Sequence, residues 1–98
     1  MDSAILNKSL EMAMEWGEYF MKPTQPRLAK LYPKLTKSQL DEIDKTAREA
    51  MRTGHNFVYD NTTCTMDDVL RAVQAKYPWV SDLNAARLHT QGMYYAMK

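Results

Sequence analysis

Apolar residues in this chain recur at three- and four-residue spacing through every long segment, which is the period of amphipathic helices and not of strands. The first segment reads as a helix from about Ser3 to Lys22. Asn7, Lys8, Glu11, Glu15, Glu18 and Lys22 gather in one narrow polar arc of it. Ile5, Leu6, Leu10, Met12, Ala13, Met14, Trp16, Tyr19, Phe20 and Met21 fill nearly all the rest. An ordinary surface helix carries a narrower apolar stripe. Such a helix sits at the centre of a bundle, or shares part of its arc with another chain.

Pro23 ends that helix, and Pro26 suits the first position of a short one with Leu28, Leu31 and Tyr32 as its inner side. Thr36 and Gln39 then match a capping box, with Leu35 and Leu40 at the staple positions. Leu40, Ile43, Ala47, Ala50, Met51, Gly54 and Val58 form one stripe, so the third helix is expected to pass Gly54 and reach about Tyr59, with a glycine cap at Gly54 as the competing end. Asp60-Asn61-Thr62-Thr63 reads as a loop. Thr65 and Asp68 give a second capping box, opening a fourth helix with Met66, Val69, Leu70, Val73 and Tyr77 on one side. The fifth helix is expected to bury Leu83, Ala86, Met93, Tyr94 and Met97, although Ala85, Leu88, Gly92, Tyr95 and Ala96 make its opposite side small or apolar too.

Two junctions share their parts. Tyr32-Pro33-Lys34-Leu35-Thr36 and Tyr77-Pro78-Trp79-Val80-Ser81 each end one helix at a tyrosine before proline and offer a hydroxyl to cap the next. The three glycines, Gly17, Gly54 and Gly92, fall inside expected helices, where each costs about 1 kcal/mol relative to alanine. Close approach of another helix is the plainest return. The fold class is therefore all-α: a compact bundle of four main helices plus one short helix, with residues 1–98 as a single helical domain.

Composition narrows the function classes. The 98 residues are 45% hydrophobic and 26% charged, the balance of a chain with a packed core. A net charge of +1 exerts no global pull on nucleic acid or anionic membrane. One cysteine, Cys64, cannot form an internal disulfide, and no apolar run approaches a membrane span. A cytoplasmic protein with no membrane association is the expectation.

Candidate chemistry is sparse. His55 and His89 lack ligand partners at helical metal-site spacing, and no zinc, EF-hand or phosphate-loop motif occurs, so neither metal nor cofactor is expected. Cys64, His55 and Asp60 have the residue types of a nucleophile, base and orienter, but proximity in sequence does not create that geometry. The acidic pairs Glu11/Glu15, Glu15/Glu18 and Asp41/Asp44 read as solvated helix faces. No enzyme is expected.

Binding is the better reading. The surplus apolar surface of the first and fifth helices suits a protein partner or self-association, with Met14, Trp16, Tyr19, Trp79, Tyr94 and Tyr95 as candidate interface residues. Core packing is the competing use of each. Lys22, Arg27, Lys30, Lys34 and Lys37 form a basic run without an acid, a candidate electrostatic edge for an acidic partner. Two alternatives stay open. The last two helices outline a helix-turn-helix, with Asn84, Arg87, Gln91 and Lys98 on one side for DNA, although the missing basic footprint makes nucleic acid the weaker partner. A small-molecule-binding helical domain is the other.

Overall fold

The computed structural model describes residues 2–15 and 23–97. They form five helices and no strand: α1 (Ser3–Ala13), α2 (Gln25–Leu31), α3 (Lys37–Asp60), α4 (Met66–Lys76) and α5 (Asp82–Ala96). The all-α bundle is thus the observed fold, with α3 running through Gly54 as its continuous stripe implies.

Three corners, rather than two, share one geometry. Tyr32, Asn61 and Tyr77 end α2, α3 and α4 at φ/ψ of −128/70°, −137/66° and −127/78°. Each of their carbonyls accepts the N–H three residues on: Leu35 to Tyr32 at 3.1 Å, Cys64 to Asn61 at 2.9 Å and Val80 to Tyr77 at 3.0 Å. Thr36, Thr65 and Ser81 then cap α3, α4 and α5 through N–H bonds from Gln39, Asp68 and Asn84. Both capping boxes close as the sequence implies, the side chains of Gln39 and Asp68 accepting the N–H of Thr36 and Thr65. The middle corner has no proline. There Asn61 donates its side-chain amide to the carbonyl of Phe57 at 2.9 Å, which satisfies the end of α3 by a different local device.

Gly54 and Gly92 mark where α3 and α5 touch. A Cβ on Gly54 would lie 3.0 Å from Leu88 Cδ1, and one on Gly92 only 2.9 Å from Val58 Cβ. Position 54 faces 88 and 58 faces 92, so the two helices run in the same direction, with α4 returning the chain between them. The backbone approach that glycine allows offsets its cost in helix propensity. Leu10, Ala47, Ala50, Val58, Val69, Val73, Val80, Ala85 and Leu88 form the main core, and a second cluster joins Leu6, Met12, Leu28, Leu40 and Ile43 where α1 and α2 meet α3.

Two expectations are corrected. The first helix stops at Ala13, well short of Lys22. Its end is set by tertiary contacts: Met14 leaves helical geometry at φ/ψ −98/4°, Gln91 of α5 donates to the Met14 carbonyl at 3.1 Å, and Glu15 turns toward α2 to meet Arg27 at 2.6 Å. Trp16, Gly17, Tyr19 and Lys22 lie outside the described residues. The fifth helix also buries the opposite side from the one expected. Asn84, Ala85, Leu88, Gln91 and Gly92 face inward, while Leu83, Tyr94 and Met97 are exposed; of the expected set, Met93 does pack, half-buried, against the core. Small residues permit the close packing on α3, and the two amides find partners on α1.

Candidate interaction surface

The residues expected to carry function disperse into three kinds of surroundings. Met14 is a core residue, only 4% exposed. Trp79 is half-buried and packs against both core clusters, so it joins the two halves of the core. Tyr95 is half-buried, with its ring edge-on to His55 at 5.5 Å and to Tyr94 at the same distance. Of the candidate interface residues within the described parts, Tyr94 alone is classed as exposed.

Asn84 and Gln91, two of the four side chains considered for DNA, are buried and bonded within the molecule. Asn84 donates to the carbonyl and side-chain oxygens of Asn7, each at 2.9 Å, and accepts from Arg87 at 3.0 Å. Asn7 also donates to the Trp79 carbonyl at 2.7 Å and accepts from the Ser81 N–H at 2.9 Å. This network ties α1 to the corner between α4 and α5. Sequence periodicity missed it, because it placed Asn7 in a polar arc and Asn84 on a reading face. A pair of amides on apolar helices is the only hint available without coordinates.

The basic run divides. Arg27 is half-buried against Glu15, whereas Lys30, Lys34 and Lys37 are exposed across the end of α2 and the start of α3. Leu31, 52% exposed, stands among them. Of the acidic pairs, Glu18 lies outside the described residues and Asp41 is exposed, while Glu11, Glu15 and Asp44 meet partners. Asp44 accepts from Thr24 at 2.7 Å and from Arg48 at 3.1 Å, pinning the start of α2 to α3, and Glu11 lies 3.8 Å from both Lys8 and Arg87.

The prospective nucleophile set is dispersed too. Burial, aided by the nearby charge of Asp68, pushes the Cys64 thiol above its ordinary pKa, which disfavours the reactive thiolate. Its backbone carbonyl meets His89 Nε2 at 3.1 Å. His55 packs against Tyr95 instead, and burial lowers its pKa against a smaller opposing effect from the Gln91 side chain. Asp60 is exposed. Among the described residues, no group of His, Cys, Asp or Glu is arranged to hold a metal ion, and no helix is long and apolar enough to cross a membrane.

The outer side of α5 is the feature that remains. Leu83, Tyr94 and Met97 expose 61%, 49% and 73% of their surfaces. At 100° per residue they fall within about 60° of one another around the helix. Ala86 and Thr90 lie on the same side, whereas Met93 at its margin is half-buried against the main core. Alongside runs a groove of about 370 Å³, lined by Glu11, Met14 and Glu15 on one bank and Ala86, Arg87 and Thr90 on the other. Compared with protein-family models, with curated proteins and with solved structures, the chain gives no match.

Proposed function

We propose that the protein is a small cytoplasmic binding module, without catalysis of its own, that engages a protein partner through the outer side of α5. One observation carries this reading: Leu83, Tyr94 and Met97 stay exposed in line on a helix whose opposite side is fully committed to the core. Apolar side chains in a continuous stripe, with tyrosine and methionine among them and Arg87 at the edge, have the composition of an interface centre. Lys30, Lys34 and Lys37 supply a separate basic edge that favours capture of an acidic partner. The DNA-binding alternative loses support, since Asn84 and Gln91 are spent on Asn7 and Met14.

Affinity capture from the native host tests the reading. The wild-type chain should retain a specific protein that Leu83→Glu releases, with the helical circular dichroism spectrum unchanged. Equal retention by both proteins refutes a role for this surface.

A further inference from the structure

Away from α5, a groove of about 440 Å³ opens between the middle of α3 and the end of α4. Glu49, Arg52, Thr53 and Asn56 line it from α3, and their spacing of three, four and seven residues sets them on one side of that helix. Lys76 and Tyr77 close the other side, where the corner after α4 turns the chain. All but one of these six side chains carry a hydrogen-bond donor, and two are cations.

Those donors are not spent inside the molecule. Arg27, Arg48 and Arg87 each meet a carboxylate, whereas Arg52 and Lys76 have none within ion-pair distance among the described residues. Lys76 instead stands over the Tyr77 ring, its Nζ 5.6 Å from the centroid. The Thr53 hydroxyl donates to the Tyr77 hydroxyl at 3.5 Å, well beyond the 2.7–2.8 Å of a good O–H···O bond. The Tyr77 hydroxyl donates to no protein atom among the described residues. Two loosely coupled hydroxyls, a guanidinium fork and an ammonium therefore converge on one space.

We infer that this groove binds a small phosphomonoester, with Arg52 and Lys76 on the phosphate and the hydroxyls of Thr53 and Tyr77 donating to its oxygens. A phosphomonoester carries about −1.5 to −2 charge at neutral pH and three acceptor oxygens, which suits two cations and two hydroxyls better than a singly charged carboxylate does. Glu49 is the one like charge at the site; it tempers affinity and makes a distinct prediction. The groove falls within the size range of small-molecule sites and leaves room beside the phosphate for a compact organic part. Arg52, Asn56 and Lys76 are exposed, so binding is weak, with a Kd of about 1 mM.

Amide chemical shifts of the full chain, titrated with inorganic phosphate and with free phosphoserine at fixed ionic strength, test the site. Saturable shifts should centre on Arg52, Thr53, Lys76 and Tyr77. Arg52→Gln and Lys76→Gln should each weaken binding about threefold, and Glu49→Gln should tighten it by a similar factor. Tyr77→Phe, which keeps the ring, should weaken binding with the helical spectrum unchanged. Lys34→Gln, on the separate basic edge, should have no effect, and acetate should bind at least tenfold more weakly than phosphate. Shifts that do not saturate, equal binding of acetate, or a loss with Lys34→Gln as large as with Arg52→Gln overturn the assignment. A phosphoserine peptide binding at least tenfold more tightly than free phosphoserine overturns the small-molecule reading in favour of a phosphorylated protein.

Discussion

Replacing Gly92 by alanine offers the sharpest test of the α3–α5 contact. The new Cβ would stand 2.9 Å from Val58 Cβ and 3.1 and 3.2 Å from its two γ carbons. Val58 is fully buried, and a β-branched side chain in a helix has essentially one rotamer, so it cannot turn aside. The helices must instead separate by several tenths of an ångström, an overpacking strain of about 1–3 kcal/mol. Removing a glycine from a helix interior returns about 1 kcal/mol. The net expectation is a loss of about 1 kcal/mol, with an upper bound near 2 from the same two terms. Gly54→Ala should be milder, because its nearest contact, at 3.0 Å, is the Cδ1 end of Leu88, which has torsional freedom. Urea unfolding followed by circular dichroism would measure both, provided the slope against denaturant is unchanged. Adding Val58→Ala to Gly92→Ala removes the two γ carbons but keeps the Cβ at 2.9 Å, so it should relieve only part of the strain, with a favourable coupling at the low end of about 0.5–3 kcal/mol in a double-mutant cycle. If Gly92→Ala proves about 1 kcal/mol more stable than wild type, helix propensity alone is acting. The close approach of α3 and α5 would then be wrong.

Three further outcomes follow from local geometry. Thr36→Ala, Thr65→Ala and Ser81→Ala should each lower stability by roughly 0.5–2 kcal/mol in thermal or urea melts, since each hydroxyl accepts an N–H at a helix start; a neutral result at all three sites contradicts the common corner. Asn7→Leu should cost about 1–3 kcal/mol by leaving Asn84 and the Ser81 N–H short of partners, and Asn7→Leu combined with Asn84→Leu should cost less than the sum of the two; strict additivity rejects the network. Burial lowers the folded-state pKa of His55 below its ordinary 6.5, so on acidification the unfolded chain takes the proton first. The stability is complete above pH 6.5 and declines as pH falls through the lower folded-state pKa; urea midpoints should show this decline, and His55→Gln should remove it. Asp68 does not confuse that window, because the Thr65 N–H holds its carboxyl below 3.8 and its contribution is lost only in stronger acid.

Features that depend on a few adjacent residues were legible in the sequence. Both capping boxes and the tyrosine–proline corners follow from short-range hydrogen bonding, and the apolar stripe favoured the passage of α3 through Gly54 over a glycine cap there, which the packing on α5 then decided. The corner at Asn61 was less visible because it reaches the same geometry without proline, through a side-chain amide bonded one turn back. The choice of face on α5 was not legible at all. Both sides of that helix are small or apolar, so periodicity offers two answers of similar weight.

Sequence alone determined the all-α class and most helix starts, because capping and helical periodicity act over one or two turns of chain. Tertiary structure decided which side of α5 is buried, where α1 stops and what the polar residues do. Those outcomes depend on partners more than seventy positions away: Asn7 with Asn84, and the Met14 carbonyl with Gln91. An amide is hydrophilic in a periodicity plot and becomes a core residue only when a distant helix satisfies it. The exposed stripe of Leu83, Tyr94 and Met97 has the same origin, since those side chains were left outside when Gly92 and Asn84 turned toward Val58 and Asn7.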